Sequence, residues 1–215
     1  MLTYYTYDDL DRMTARSSQT DAPSYFAYDV LSRMSDASGE RGTTYYAYTA
    51  RSAVEARRLP DGTAVYYEYD AAGNRTALKV TGVGTSYYEH DELNRVTAVK
   101  TPAGNAAYYT YDAEGAVTAK ARPNGSVTYY AYDPAGRPES ISHLKADGAE
   151  ITYFGYSYTP AGNVSAIQRE GGEAIYYSYD HRSRLTAEDW VYAGGGSIYA
   201  YEYAYDGAGN RTRKS

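Results

Sequence analysis

The sequence predicts an all-β protein: an array of ten tandem antiparallel β-hairpins of about 21 residues each, forming one long curled sheet, a spiral shell or a β-solenoid. Three observations lead there. First, one phrase, Tyr-Tyr-x-Tyr-Asp-x-x-Gly-Asn/Arg-x-Thr, recurs along the whole chain, as in Tyr66-Tyr67-Glu68-Tyr69-Asp70-Ala71-Ala72-Gly73-Asn74-Arg75-Thr76. Its last Tyr, taken as position zero, falls at Tyr7, Tyr28, Tyr48, Tyr69, His90 (a substitution), Tyr111, Tyr132, Tyr158, Tyr179 and Tyr205, at spacings of 21, 20, 21, 21, 21, 21, 26, 21 and 26. A fixed period across residues 1–215 means one array of equivalent units. Second, the run before each Asp is aromatic and β-branched, and no segment sustains a period of 3.6. Third, Asp, Pro and Gly punctuate both ends of every run.

Each element follows from one repeat. Ser126-Val127-Thr128-Tyr129-Tyr130-Ala131-Tyr132-Asp133 reads as a strand. Asp133-Pro134-Ala135-Gly136 reads as a type I turn, with Asp first, Pro second and Gly fourth. A weaker second strand runs from Arg137 to about His143, and a variable turn closes the unit, as in Pro60-Asp61-Gly62, Pro102-Ala103-Gly104 and Pro123-Asn124-Gly125. The chain is therefore expected to carry about twenty short antiparallel strands and almost no helix. Two repeats hold five extra residues, at Leu144–Gly148 and around Ala193–Gly196, both at the variable turn, where loop growth costs little.

Strand alternation sorts the tyrosines. Position minus two is aromatic throughout: Tyr5, Phe26, Tyr46, Tyr67, Tyr88, Tyr109, Tyr130, Tyr156, Tyr177 and Tyr203. It shares a face with position zero, and Tyr199 and Tyr201 extend that face in the last repeat. Position minus three points the other way and includes Gly155 and Glu202, so that face is expected to be half wet. The second strand supplies small apolar partners: Met13, Met34, Val54, Val96, Val117, Val164 or Leu185 at plus six, and Ala15, Ala56, Ala77, Ala98, Ala119, Ala166 and Ala187 at plus eight. The expected structural ladder comprises Tyr5, Tyr7, Tyr46, Tyr48, Tyr67, Tyr69, Tyr109, Tyr111, Tyr130, Tyr132, Tyr177, Tyr179, Tyr203 and Tyr205, with rings aligned from repeat to repeat. Aromatic pairs add about 0.5–1.5 kcal/mol beyond burial, and cross-strand pairs about 0.2–1 kcal/mol. With 30 Tyr against 2 Phe and 1 Trp, such rows stand in for an aliphatic core.

Composition bounds the function. A net charge of -6 excludes a generic basic nucleic-acid binder. Without cysteine there is no disulfide framework and no thiolate metal site. Met1-Leu2-Thr3-Tyr4-Tyr5 enters the repeat at once, with neither the basic head nor the apolar core of a signal peptide. No stretch approaches the roughly 20 apolar residues that span a bilayer. Because the chain begins and ends inside the pattern, it reads as a piece of a longer polypeptide.

Side chains that suggest chemistry have plainer readings. The Asp after position zero (Asp8, Asp29, Asp70, Asp91, Asp112, Asp133, Asp180, Asp206) is a turn-starting residue rather than a calcium ligand, since Thr49 and Thr159 replace it and make similar turn bonds but poor ligands. Asn74-Arg75-Thr76, Asn124-Gly125-Ser126, Asn163-Val164-Ser165 and Asn210-Arg211-Thr212 match the glycosylation pattern because the repeat itself contains it. His90 holds a ladder position. His143 and His181 lack partners at metal spacing, and Trp190 reads as an apolar substitute on a second strand. No catalytic constellation stands apart from the repeat, so no enzyme and no cofactor are expected.

The phrase Tyr-Asp-x-x-Gly-Arg/Asn-x-Thr, quoted best from Tyr69–Thr76, Tyr132–Arg137 and Tyr205–Thr212, resembles the YD repeat of Rhs proteins across essentially the whole chain. That family includes bacterial Rhs polymorphic toxins, wall-associated proteins, the cocoon component of Tc toxins and animal teneurins. The resemblance implies a β-sheet spiralling into a hollow shell, which in toxins holds a C-terminal effector and elsewhere serves adhesion or carbohydrate binding. It also implies a plug with self-cleaving aspartates after the repeats, and Asn210–Ser215 carries no such motif. Two functions follow as expectations. One is a non-catalytic shell segment of a secreted or cell-surface bacterial protein, partnered by further repeats and an effector. The other is a self-assembling extracellular fibre or adhesin, joined edge to edge or end to end, with glycan binding on its exposed tyrosines as a further option.

Overall fold

A computed structural model of the chain describes residues 2–215. It is all-β, with one short 3-10 turn at Glu170–Gly172. The chain divides into two compact units, the first ending at Ala106 and the second running from Ala107 to Ser215. The first holds β1 (Thr3–Tyr7), β2 (Met13–Ser18), β3 (Ser24–Tyr28), β4 (Met34–Gly39), β5 (Gly42–Tyr48), β6 (Val54–Arg58), β7 (Ala64–Tyr69), β8 (Arg75–Val80), β9 (Gly84–His90) and β10 (Val96–Lys100). The second begins within β11 (Ala106–Tyr111). It continues through β12 (Val117–Ala121), β13 (Val127–Tyr132), β14 (Pro138–Leu144), β15 (Glu150–Tyr158), β16 (Val164–Arg169), β17 (Ala174–Tyr179), β18 (Leu185–Val191), β19 (Ser197–Tyr205) and β20 (Arg211–Lys214).

Within each unit every strand pairs antiparallel with its chain neighbours, giving an open meander. Among the described residues no helix is long and apolar enough to cross a membrane. The extra residues of two repeats do not make floppy loops. They lengthen β15 and β19 to 9 residues each and close in the tight turns Lys145–Ala149 and Tyr192–Gly196.

One irregularity recurs in every hairpin. Tyr7 faces Met13 but Thr6 faces Ala15, so Thr14, at plus seven, is an extra residue on the second strand. The same slip occurs beside Tyr69, where Glu68 faces Ala77, and beside Tyr205, where Ala204 faces Arg213. This is a β-bulge, which places two consecutive side chains on one face. The Thr6 and Thr14 hydroxyls meet at 3.0 Å, as do those of Thr110 and Thr118.

The bulge splits the small apolar set in two. Plus six stays on the face of position zero, whereas plus eight moves to the face of minus three. Directly paired residues share a face, and Ala56 pairs with Tyr66, Ala77 with Tyr87 and Ala166 with Tyr176. Strict alternation would put plus six and plus eight together, and the bulge corrects that reading.

Burial is thin and falls on both faces. Ala77, Ala98 and Ala166 at plus eight are 3%, 1% and 6% exposed. On the other face Val65, Thr128 and Ile175, all at minus four, are buried, and Ile167 pairs with Ile175. Few side chains in either unit are buried outright. Most side chains thus keep one side in water.

Candidate functional site

Among the described residues no cluster stands apart from the repeat, so the candidate site is the junction from one repeat to the next. It begins at the turn after position zero. The Asp29 N–H donates to the Arg33 carbonyl at 2.8 Å, and the Ser32 N–H to the Asp29 carbonyl at 2.9 Å. These bonds define a type I turn followed by one left-handed residue. That residue, at plus four, has positive φ in every repeat: Asp11, Ser32, Ser52, Gly73, Asn94, Gly115, Gly136, Gly162, Ser183 and Gly209.

The Asp side chain locks this turn. One oxygen of Asp29 accepts the N–H groups of Leu31 and Arg33, both at 2.9 Å, and the other accepts Nε of Arg33 at 2.7 Å. The same pincer recurs at Asp8–Arg12, Asp91–Arg95, Asp133–Arg137 and Asp180–Arg184. Asp70 and Asp206 use the side-chain amides of Asn74 and Asn210 instead. The Arg184 backbone N–H, above all, holds Asp180 down to about 2; partial desolvation opposes this and the Arg184 side chain reinforces it. Thr49 and Thr159 keep part of the lock, each hydroxyl accepting the plus-five N–H at 3.2 Å.

Two side chains then cross to the neighbouring repeat. The phenol of position zero reaches back: Tyr28 donates to the Met13 carbonyl, Tyr48 to Met34, Tyr69 to Val54, Tyr132 to Val117, Tyr158 to Pro138, Tyr179 to Val164 and Tyr205 to Leu185, at 2.7–3.0 Å. The acceptor is always the plus-six carbonyl. Pairing to the next strand starts only at plus eight, as at Ala15–Tyr25, so this carbonyl needs another donor and the phenol supplies it. Burial, first of all, pushes the phenols of Tyr48, Tyr132, Tyr158 and Tyr179 above the usual range.

The arginine at plus five reaches forward. Arg12 lies over the Tyr28 ring at 4.8 Å, Arg33 over Tyr48 at 4.6 Å, Arg137 over Tyr158 at 4.2 Å and Arg184 over Tyr205 at 4.7 Å. Its head group also touches the next turn: Arg12 donates to the Ser32 hydroxyl, Arg33 to the Thr49 carbonyl and Ser52 hydroxyl, and Arg184 to the Asp206 carbonyl.

The ring-to-ring contacts described, Trp190–Tyr199 at 5.0 Å and Tyr199–Tyr201 at 5.4 Å, lie in the last hairpins and do not join successive ladder positions. The reason is spacing. Equivalent positions are two strands apart, or about 9–10 Å, beyond the 4.5–7 Å of an aromatic pair. A guanidinium fits between, so at these four junctions a cation stands where a second ring was expected.

The ladder tyrosines differ in surroundings. Tyr5 and Tyr7 are 51% and 59% exposed. Tyr46, Tyr67, Tyr109, Tyr130, Tyr177 and Tyr203 at minus two, and Tyr111 at position zero, are half-buried. Tyr203 also donates to Glu188 at 3.3 Å. The minus-three tyrosines Tyr4, Tyr25, Tyr45, Tyr66, Tyr87, Tyr108, Tyr129 and Tyr176 are 41–58% exposed. Gly155 breaks that row because the Tyr153 ring lies over it, its hydroxyl 2.8 Å from where a Cβ would stand. His90 keeps an aromatic shape but leaves Nδ1 buried without a partner. His143 Nδ1 meets the hydroxyl of the fully buried Thr128 at 2.8 Å. Trp190 donates to Glu188. Among the described residues no group of three or more His, Asp and Glu stands where it could hold a metal.

Sequence reasoning missed the backward phenol bond and the forward guanidinium. Their signal was the Arg or Asn at plus five, present in the phrase but unassigned.

The model of the teneurin YD-shell matches residues 1–154. The crystal structure of TcdB2-TccC3 is similar to this chain at a TM-score of 0.77 and 16% identity, covering 97% of this chain and 12% of that one. TcdB2-TccC3-TEV gives 0.76, 16%, 97% and 12%, and TcdB2-TccC3-Cdc42 gives 0.55, 13%, 97% and 14%. At such identity the likeness shows the fold. This chain spans only 12–14% of the length of those three chains. No curated protein sequence matches it.

Proposed function

The chain belongs to the teneurin YD-shell family, and on that premise we propose that it is a non-catalytic structural segment of a secreted or cell-surface bacterial protein, one stretch of a β-shell that encloses or displays an effector of the same polypeptide. In this reading residues 1–215 act as one array and the ladder tyrosines serve structure. Uniformity carries the reading: seven phenol-to-carbonyl bonds repeat one geometry, each reaching the adjacent hairpin. The fold it shares with TcdB2-TccC3 supports the same reading.

One observation favours the fibre as a second reading. β1 carries Tyr4, Tyr5 and Tyr7 at 58%, 51% and 59% exposure, and an exposed aromatic strand at a sheet edge is a template for another chain. Light scattering on the purified chain separates the two. A discrete monomer is expected for a shell segment, and long regular particles would overturn it in favour of the fibre. A glycan array with Tyr108→Ala and Tyr129→Ala variants tests carbohydrate binding; signal lost in both variants would assign the exposed row a ligand.

A further inference from the structure

The junction that starts in the third repeat lacks the plus-five cation. Where the first, second, seventh and ninth repeats place Arg12, Arg33, Arg137 and Arg184 at plus five, the third has Ala53, and Thr49 stands where they have Asp. The receiving ring is nevertheless in its usual pose, since the Tyr69 phenol donates to the Val54 carbonyl at 2.8 Å, matching its counterparts. A cleft of about 480 Å³ opens over this ring, lined by Thr49, Ala53, Tyr69, Asp70 and Gly73 among others.

Two of these groups correspond to ones that touch the arginine head elsewhere, the ring and the plus-one carbonyl of the following turn, while Thr49 replaces the carboxylate that pairs with it. Arg33 donates to the carbonyl of Thr49 at 3.2 Å and Arg184 to that of Asp206 at 3.3 Å; both are plus-one carbonyls of the following turn, the position held here by Asp70. In the other junctions the ring face lies 4.2–4.8 Å from a guanidinium carbon. Arg51 also borders the cleft, but its guanidinium donates to the Ala71 carbonyl in the next turn. A planar cation that stacks on a ring while donating to a carbonyl at its edge is arginine chemistry, which a lysine ammonium reproduces poorly.

We infer that the cleft over Tyr69 is a receptor slot for an arginine side chain from another polypeptide segment, seated where the other junctions hold their own. The net charge of -6 favours the approach of such a cation. The slot depends on the turn rim of one junction, so it stands or falls independently of whether the array forms a shell.

The test is calorimetric titration of the full chain with N-acetyl-arginine amide and N-acetyl-lysine amide. Saturable binding of the arginine amide is expected, at least about fivefold tighter than the lysine amide. The double variant T49D/A53R, which installs the internal pair, should lose that binding and melt at a higher temperature. Ala53→Met, which fills the slot with an apolar chain, should lose binding as well and serves if the double variant does not fold. No saturation up to about 50 mM arginine amide, well above the range of a millimolar site, would overturn the inference. So would binding that survives in a folded filled variant.

Discussion

The two rims of each unit use the same backbone turn to different ends. At the rim of the repeated Asp, the Asp133 N–H donates to the Arg137 carbonyl and the Gly136 N–H to the Asp133 carbonyl. At the variable rim, the Arg122 N–H donates to the Ser126 carbonyl and the Gly125 N–H to the Arg122 carbonyl, with the same left-handed glycine. The first rim sends side chains across to its neighbour in one repeated pattern, whereas the second does so only at single sites, such as Arg169 over Trp190 and Arg122 donating to Thr128. The second brings the backbones themselves together: a Cβ on Gly42 would stand 2.8 Å from Cβ of Pro60, one on Gly84 2.7 Å from Cβ of Pro102, and one on Gly125 2.6 Å from Cβ of Ala146. One rim is joined by reach and the other by proximity. Reach tolerates a changed residue, as at Thr49, whereas proximity leaves no room for a methyl group at Gly42, Gly84 and Gly125, although Gly62, Gly104 and Gly148 on the same rim have open space.

The sharpest test makes one substitution on both rims. Gly84→Ala combines φ 123° with the Pro102 contact, and is expected to cost about 2–4 kcal/mol in urea denaturation. Gly73→Ala has φ 94° but nothing within 4 Å, and should cost about 1–2 kcal/mol, the left-handed penalty alone. Equal losses would break the distinction between the rims.

A smaller effect tests reach directly. Tyr48→Phe removes the phenol that donates to the Met34 carbonyl and should cost about 0.5–1.5 kcal/mol. Tyr45→Phe, at minus three and 55% exposed, should stay within about 0.5 kcal/mol. If both losses are alike, the phenol bond is not what joins the repeats.

The smallest effect lies on the acid limb. Asp180 titrates lower in the folded chain, at about 2, than its ordinary 3.8. A depressed carboxyl contributes stability that is complete above the ordinary value and is lost as the pH falls through the folded one. Stability should therefore decline from about pH 4 to pH 2, and Asp180→Asn should make that decline shallower. An unchanged acid slope would show that the Asp180 pincer has little linkage to folding.

The hairpins, both turns and the exposure of the minus-three tyrosines were legible in the sequence because each is set by local signals: the 21-residue period, the Asp and Gly at fixed offsets, and strand alternation. The bulge was not, although its residue is the Thr that ends the phrase, as in Thr76 and Thr212. A polar residue between Val or Leu and Ala fits a regular strand equally well, and only the register shows it to be extra. The junction chemistry was hidden for a different reason. The bond from Tyr28 to Met13 and the contact of Arg12 with Tyr28 are 15 and 16 residues apart in sequence, and no local pattern marks which neighbour a side chain will choose. Ring stacking looked natural in one dimension and fails once the two-strand separation is counted.

The backward bond gives the array a direction. Each phenol needs a carbonyl that lies earlier in the chain, and never one that lies later. A hairpin leaving the ribosome therefore finds the acceptor of its phenol already made, whereas the guanidinium of the repeat before it, as at Arg12, has had to wait for that ring.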